Sequence, residues 1–237
     1  MKPELLMPAG SLEKLKFAIA YGADAVYAGV PFFSLRAREN HFDMDSLREG
    51  ISYAHARGKK VYLTANIFAR NTKIKPFEKK MDDLVSLGAD AFIMSDPGLI
   101  SMLKKHHPKS PIHLSVQANC MSYQSVKFWQ DQGVERVILS RELRLEEIER
   151  IHEEVPGMEL EAFVHGSNCI AYSGRCLMSH YMSYRDANQG VCDNSCRYEF
   201  KAYASKPKDT EYFVEDTSSQ GTLYPLLEDE NGTYLMN

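Results

Sequence analysis

A chain of 237 residues is long enough for one large α/β domain or two small ones. With 44% hydrophobic, 25% charged and 11% aromatic residues, it has the make-up of a globular protein and excludes a disordered chain. The net charge of −4 excludes a protein that grips nucleic acid through phosphate contacts alone: residues 1–198 carry 25 basic and 24 acidic side chains, and residues 199–237 carry three lysines against eight acids.

The opening "MKPELLMPAG" has no apolar h-region and does not read as a signal peptide. No apolar run approaches the roughly 18 residues of a membrane span. The chain is therefore expected in the cytoplasm, without a membrane partner, where thiols stay reduced.

Taken in order, "PELLMPAG" (3–10) reads as a first strand. In "AYGADAVYAG" (20–29) a helix ends at Gly22 and a short apolar strand follows. The helix "DSLREGISYAHARG" (45–58) leads into the strand "KKVYLTANI" (59–67). "SLGADAFIMS" (86–95) repeats the Gly-capped logic at Gly88. His106 and His107 end the next helix, where they suit its dipole. The strand "PIHLSVQAN" (111–119) precedes the helix "SYQSVKFWQDQG" (122–133). Gly133 then opens the strand of "DQGVERVILS" (131–140). In "RLEEIERIHEEV" (144–155), Leu145, Ile148, Ile151, His152 and Val155 fall near helical spacing, and "ELEAFVHG" (159–166) follows as a strand.

Strands that are apolar throughout fit a parallel sheet covered on both faces. About seven βα-type units in 166 residues predict an α/β fold with a TIM-barrel-like domain, not necessarily complete. A doubly wound open sheet is the alternative; no GxGxxG follows the first strand to support it. The expected division is a barrel domain over 1–166, a cysteine-rich segment over 167–200, and a polar loop or hairpin over 201–237 with a short β-rich tail. A hairpin turn at Asn231-Gly232 and the ending on "TYLMN" suggest that the natural protein continues.

In a barrel the active site lies at the C-terminal strand ends. Those ends supply Tyr27, Asn66, Gln117, Arg141, Glu142 and His165 as candidates. His165 fits either a hydrogen-bonded structural histidine or an acid–base or substrate contact. Arg141 and Glu142 fit an ion pair or an anion site. Arg36 and Arg38, in the loop after the second strand, fit a solvated loop or a carboxylate clamp.

Four of the five cysteines lie within 28 residues, at the spacing C-x(6)-C-x(15)-C-x(3)-C: Cys169, Cys176, Cys192 and Cys196. The compartment makes disulfides the least favoured use. Four thiolates suit zinc or an iron–sulfur cluster equally on softness, and a cluster tolerates the looser spacing. The segment starts directly after the seventh strand, at the rim of the expected pocket. Cys120 reads as a small buried hydrophobe.

"ELLMPAGSLEKLKFAIAYGADAVYAG" together with "EAFVHGSNCIAYSGRCLMS" resembles peptidase family U-32, the collagenase-like family. Glu161, Phe163, Gly166, Ser167, Cys169, Gly174, Cys176, Met178 and Ser179 match its signature, and Asn168 departs from it, where an aliphatic residue is expected. Within the family, segments such as "NQGVCDNSCRYE" (188–199) look closest to bacterial proteins of prephenate-dependent tRNA uridine hydroxylation. The resemblance implies a TIM-barrel-like domain, tRNA as substrate, prephenate as a small anionic cosubstrate, and a 4Fe-4S cluster on the four clustered cysteines, with zinc as the second choice. His165, Gln117, Arg141 and Glu142 are then the catalytic candidates, and Arg36, Arg38, Tyr27 and Asn66 the substrate-binding ones. A collagenase-like peptidase and a non-catalytic, cluster-bearing fragment are the alternative functions. Protein partners are not specified by the sequence.

Overall fold

Short apolar runs, each entered through a capped helix end, build a curled parallel sheet. The computed structural model describes residues 2–35, 40–166, 169–172, 175–204, 212–217, 221–229 and 232–234. Arg36, Arg38 and Asn168 lie outside the described residues. Two compact units are present: Met1–Arg175 with Asn188–Val191, and Cys176–Ala187 with Cys192–Asn237.

The first unit alternates strand and helix: β1 (Leu6–Ala9), α1 (Leu12–Ala20), β2 (Ala25–Gly29), α2 (Met44–His55), β3 (Lys60–Ala65), α3 (Asn71–Ser86), β4 (Ala91–Met94), α4 (Pro97–His106), β5 (Ile112–Leu114), α5 (Tyr123–Asp131), β6 (Arg136–Ile138), α6 (Leu145–Glu154) and β7 (Glu159–Glu161). The strands are parallel and lie in chain order, β1 to β7. That order overturns the doubly wound alternative, in which the strand order reverses at a switch point. The sheet is a half-barrel flanked by helices.

Local chemistry starts the helices. Ser11 accepts the Lys14 amide at 3.2 Å, and Asp43 and Ser46 cap each other's backbone N–H groups. Gly22, Gly88 and Gly133 adopt positive φ after their helices, as the repeated "G" of the sequence demands. The long read of 111–119 as one strand needs a correction. β5 stops at Leu114, because Ser115 caps a 3-10 turn over Val116–Ala118 and Asn119 turns left-handed at φ 54°.

The helix-facing side of the sheet packs Val26, Ala28, Val61, Leu63, Met94, Leu114 and Val137 against the helices, all essentially inaccessible. Burying one such leucine contributes roughly 1.5–3 kcal/mol. The concave side holds a smaller apolar layer of Ala25, Tyr62, Ala91, Ile93 and Ile138, with Leu6, Tyr27 and Val116 against it.

At the N-terminal ends of the strands the concave side is charged. Arg136 Nη1 donates to Glu4 Oε1 at 2.7 Å, and Arg136 Nε donates to Glu159 Oε2 at 2.8 Å. Glu161 lies 3.5 Å from the same guanidinium. Tyr62 Oη donates to the Glu4 carboxylate at 2.9 Å. β1 and β7 are the two edges of this sheet, and the Arg136–Glu4 bridge links β6 to the segment that enters β1.

The second unit holds α7 (Met178–Ser183) and an antiparallel sheet of β8 (Phe200–Ala204), β9 (Tyr212–Asp216), β10 (Leu223–Asp229) and β11 (Gly232–Tyr234), in the order β11-β10-β9-β8. The polar stretch 201–222 thus contains parts of a hairpin, and β10 pairs with β11 through Asp229 and Gly232.

Candidate functional site

The C-terminal strand ends of the first unit form its mouth, and their polar groups are woven together. Asn66, just past β3, accepts the Leu35 amide on Oδ1 at 3.0 Å and donates from Nδ2 to Ser115 Oγ at 3.3 Å. Its carbonyl accepts Ser95 Oγ at 3.0 Å. Asp96 caps α4 through the amides of Gly98 and Leu99, and its other oxygen takes the Ala69 amide at 3.0 Å. Ser140 Oγ donates to Asn119 Oδ1 at 3.1 Å. Asn66, a substrate-binding candidate, has both ends of its amide engaged within the wall.

Gln117 is different. The 3-10 turn after β5 carries it into the mouth, and its Oε1 is buried with no hydrogen-bond partner among the described residues. Its backbone carbonyl accepts Arg175 Nε at 3.2 Å, and the Arg175 guanidinium lies 4.7 Å above the Phe68 ring. Gln189 Nε2 donates to the Phe68 carbonyl, so the returning segment Asn188–Val191 also lines this end. Gly190 is required there: φ is +89°, and a Cβ would sit 2.8 Å from the Ser34 carbonyl oxygen.

Beside the ends of β6 and β7 lies a cleft of about 380 Å³, lined by Ser140, Arg141, Leu143, Ile148, Phe163 and His165 among others. It brings Arg141 and His165 to one cavity, with the Arg141 guanidinium 3.8 Å over the Phe163 ring. Leu145, assigned to the apolar face of α6, is 80% exposed and also lines the cleft. Glu142 is exposed, and Tyr27 is half-buried in the concave layer. Arg36 and Arg38 lie outside the described residues.

Below the mouth, burial tunes two groups that sequence reasoning missed. The Glu161 carboxyl is pushed up to about 7 by burial, with Arg136 pulling partly back. His113 stacks edge-on to Tyr62 at 4.6 Å, and burial, then the Arg136 charge, holds its imidazole down to about 3, hence neutral. The signal for Glu161 was its place in the family signature; His113 left none, being one polar residue in the apolar run "PIHLSV".

All five cysteines are free thiols. Cys120 is buried, with its thiol pushed up to about 12 by burial, as a packing residue requires. Cys169, in the first unit, and Cys196 are exposed; Cys176 and Cys192 are partly so. In the second unit Asp193, between two of the cysteines, is buried. Its carboxylate accepts the Ser195 amide at 2.9 Å and the hydroxyls of Ser183 and Ser195, while its own amide donates to Ser179 Oγ at 3.2 Å. Asn194, at φ 63°, aims its amide at Cys192 Sγ, 3.4 Å away. Such a hydrogen bond stabilises a thiolate on Cys192, and four thiols are in kind the donors of a soft metal centre. Among the described residues no three His, Cys, Asp or Glu side chains are gathered closely enough to hold a metal ion. No helix among them is long and apolar enough to cross a membrane.

Residues 10–237 match peptidase family U32. The chain belongs to that family. It is 49% identical over its whole length to tRNA hydroxylation protein P of Escherichia coli (strain K12), of which it spans 58%. It is 54% identical over 84% of its length to tRNA hydroxylation protein P of Haemophilus influenzae, of which it spans 44%. The chain thus spans about half the length of these relatives. The solved structure of a U32 peptidase, Mk0906, superposes with a TM-score of 0.59 over 68% of each chain at 16% identity, which establishes a shared fold.

Proposed function

We propose that this chain is part of an RNA-modifying hydroxylase that acts in the cytoplasm on tRNA, in the prephenate-dependent 5-hydroxylation of the wobble uridine. The observation that carries this reading is the 49% identity over the whole chain to a tRNA hydroxylation protein. The mouth supports it: a buried amide acceptor on Gln117, a stacked Arg141 and an exposed His165 line the strand ends.

The residues take the following roles. Arg141 binds a carboxylate or phosphate in the cleft through its guanidinium, which Phe163 holds flat. His165, at the same cleft, holds or moves a proton on the bound ligand. Gln117 accepts a hydrogen bond from a donor that enters the mouth. Cys169, Cys176, Cys192 and Cys196 would hold a 4Fe-4S cluster, with zinc as the second choice. When bound, a cluster of this kind supplies one-electron chemistry, tuned by hydrogen bonds to its sulfurs such as the one Asn194 makes to Cys192. The peptidase name does not carry a second reading, because four thiolates on one zinc fill its coordination and leave no position for a catalytic water.

Nucleoside mass spectrometry of tRNA from a strain lacking the gene tests the reading. Loss of the wobble 5-hydroxyuridine is expected; an intact level would rule the reading out. Iron, sulfide and zinc analysis after anaerobic purification tests the cluster separately: about four irons with sulfide per chain is expected, and one zinc without sulfide would replace it.

A further inference from the structure

The geometry points to Arg175 and Gln117 as a docking pair for a small carboxylic acid in the mouth of the half-barrel. Arg175 takes the carboxylate, and Gln117 Oε1 accepts a hydrogen bond from a hydroxyl of the same molecule. This deepens the reading above, since it rests on an anionic cosubstrate working at that mouth.

The arginines of the first unit divide by what already holds them. Arg136 is committed to Glu4, Glu159 and Glu161. Arg141 lies flat on Phe163 at the neighbouring cleft. Arg175 is held in a different way. Its Nε donates to the Gln117 carbonyl and its plane rests on the Phe68 ring, which fixes both the edge and the tilt of the guanidinium. The side chain is exposed, and no ion pair to it exists among the described residues. What remains is the end-on fork of Nη1 and Nη2, two parallel donors at the spacing of a carboxylate. Because the guanidinium is already oriented, binding costs little further side-chain freedom.

Gln117 supplies the complement. Its backbone oxygen anchors Arg175, so the fork is held beside the residue that carries the unpartnered amide oxygen. The Oε1 atom is buried without a partner among the described residues, and a buried acceptor of this kind calls for a donor. A carboxylate cannot donate there, but a hydroxyl can. The pair therefore selects an acid that carries a hydroxyl over a plain acid. Among the described residues the one guanidinium in contact with Gln117 is Arg175, and a single positive charge matches a carboxylate better than a phosphate dianion, which gathers several cations.

Calorimetric titration of the purified chain with prephenate tests the pair. Arg175→Gln is expected to weaken binding at least about tenfold, since a charge-assisted bidentate contact is lost. Arg175→Lys keeps the charge without the fork and should weaken it severalfold, as should Gln117→Met. Arg175→Lys preserves most of the packing on Phe68, so a folding failure of the glutamine variant leaves the test intact; near-unchanged melting of each variant is the control. Affinity for an anticodon stem-loop RNA is expected to stay at the wild-type level. Unchanged prephenate affinity in Arg175→Gln overturns the pair, and so does a loss confined to the RNA, which would assign Arg175 to phosphate. A wild-type chain that supports hydroxylation yet binds no prephenate overturns the cosubstrate reading instead, and the pair with it.

Discussion

The two ends of the half-barrel treat polar groups in opposite ways. At the N-terminal ends of the strands, the Arg136 guanidinium is only 11% exposed and is shared among three carboxylates, one of which also takes the Tyr62 hydroxyl. At the C-terminal ends, Gln117 keeps a buried oxygen without a partner, and Arg175 spends only its Nε donor in a hydrogen bond, among the described residues. The contrast is one of charge rather than of complete satisfaction, since Glu161 Oε2 and His113 Nδ1 at the lower end are also buried without a hydrogen-bond partner among the described residues. The ion network suits the lower end to stability, and the upper end is where barrel active sites lie, which is why the proposed chemistry is assigned there.

The most disruptive way to break this contrast is Arg136→Met. It takes the cation away from partly exposed Glu4 and from the buried Glu161 Oε2 and should cost about 1.5–3 kcal/mol in chemical denaturation. Arg175→Gln, on the exposed rim, should change stability by no more than about 0.5 kcal/mol in the same assay. Comparable losses for the two variants would erase the distinction.

Tyr62→Phe should be milder, costing about 1 kcal/mol for the lost hydrogen bond to Glu4. The cavity is unchanged and the ring still packs against His113.

The pH dependence of stability sharpens the lower end further. Folded Glu161 keeps its proton up to about 7, whereas the unfolded residue loses it near 4.5, so its contribution is fully present at low pH and is lost as pH rises to about 7. His113 acts in the opposite sense. Its folded value is about 3 against 6.5 unfolded, so stability is lost as pH falls below 6.5. From pH 6.5 upward the Glu161 slope outweighs what is left of the His113 one, which is nearly gone by pH 7.5. Wild-type melting temperature should therefore decline between pH 6.5 and 7.5, and Glu161→Gln should flatten it; a decline that persists in the variant would contradict the assignment. This is the smallest of the expected effects.

How legible this was depends on the range of the interactions. The βα repeat was readable because its signals are local: Gly22, Gly88 and Gly133 each end a helix three residues before the first residue of an apolar strand. The lower ion network was not, because Glu4 and Arg136 stand 132 residues apart and only the curl of the sheet brings them together. Arg136 looked like the polar first residue of a strand. The upper rim was half legible. Strand ends pointed to Gln117, Arg141 and His165, and the structure puts the last two on one cleft. Asn66 looked equally available, but both its amide atoms are spent on Leu35 and Ser115. Arg175 and Asp193 went unmarked among the cysteines, since a single charge in a loop acquires meaning only from what it touches.

Complementation of a deletion strain with two variants at matched protein levels addresses the division of labour most directly, with wobble 5-hydroxyuridine in tRNA read by mass spectrometry. Tyr62→Phe, which alters only the stabilising end, should restore the modification to near the wild-type level, and Gln117→Met should restore it only in part. Full restoration by Gln117→Met, or failure of a well-folded Tyr62→Phe, would contradict the account.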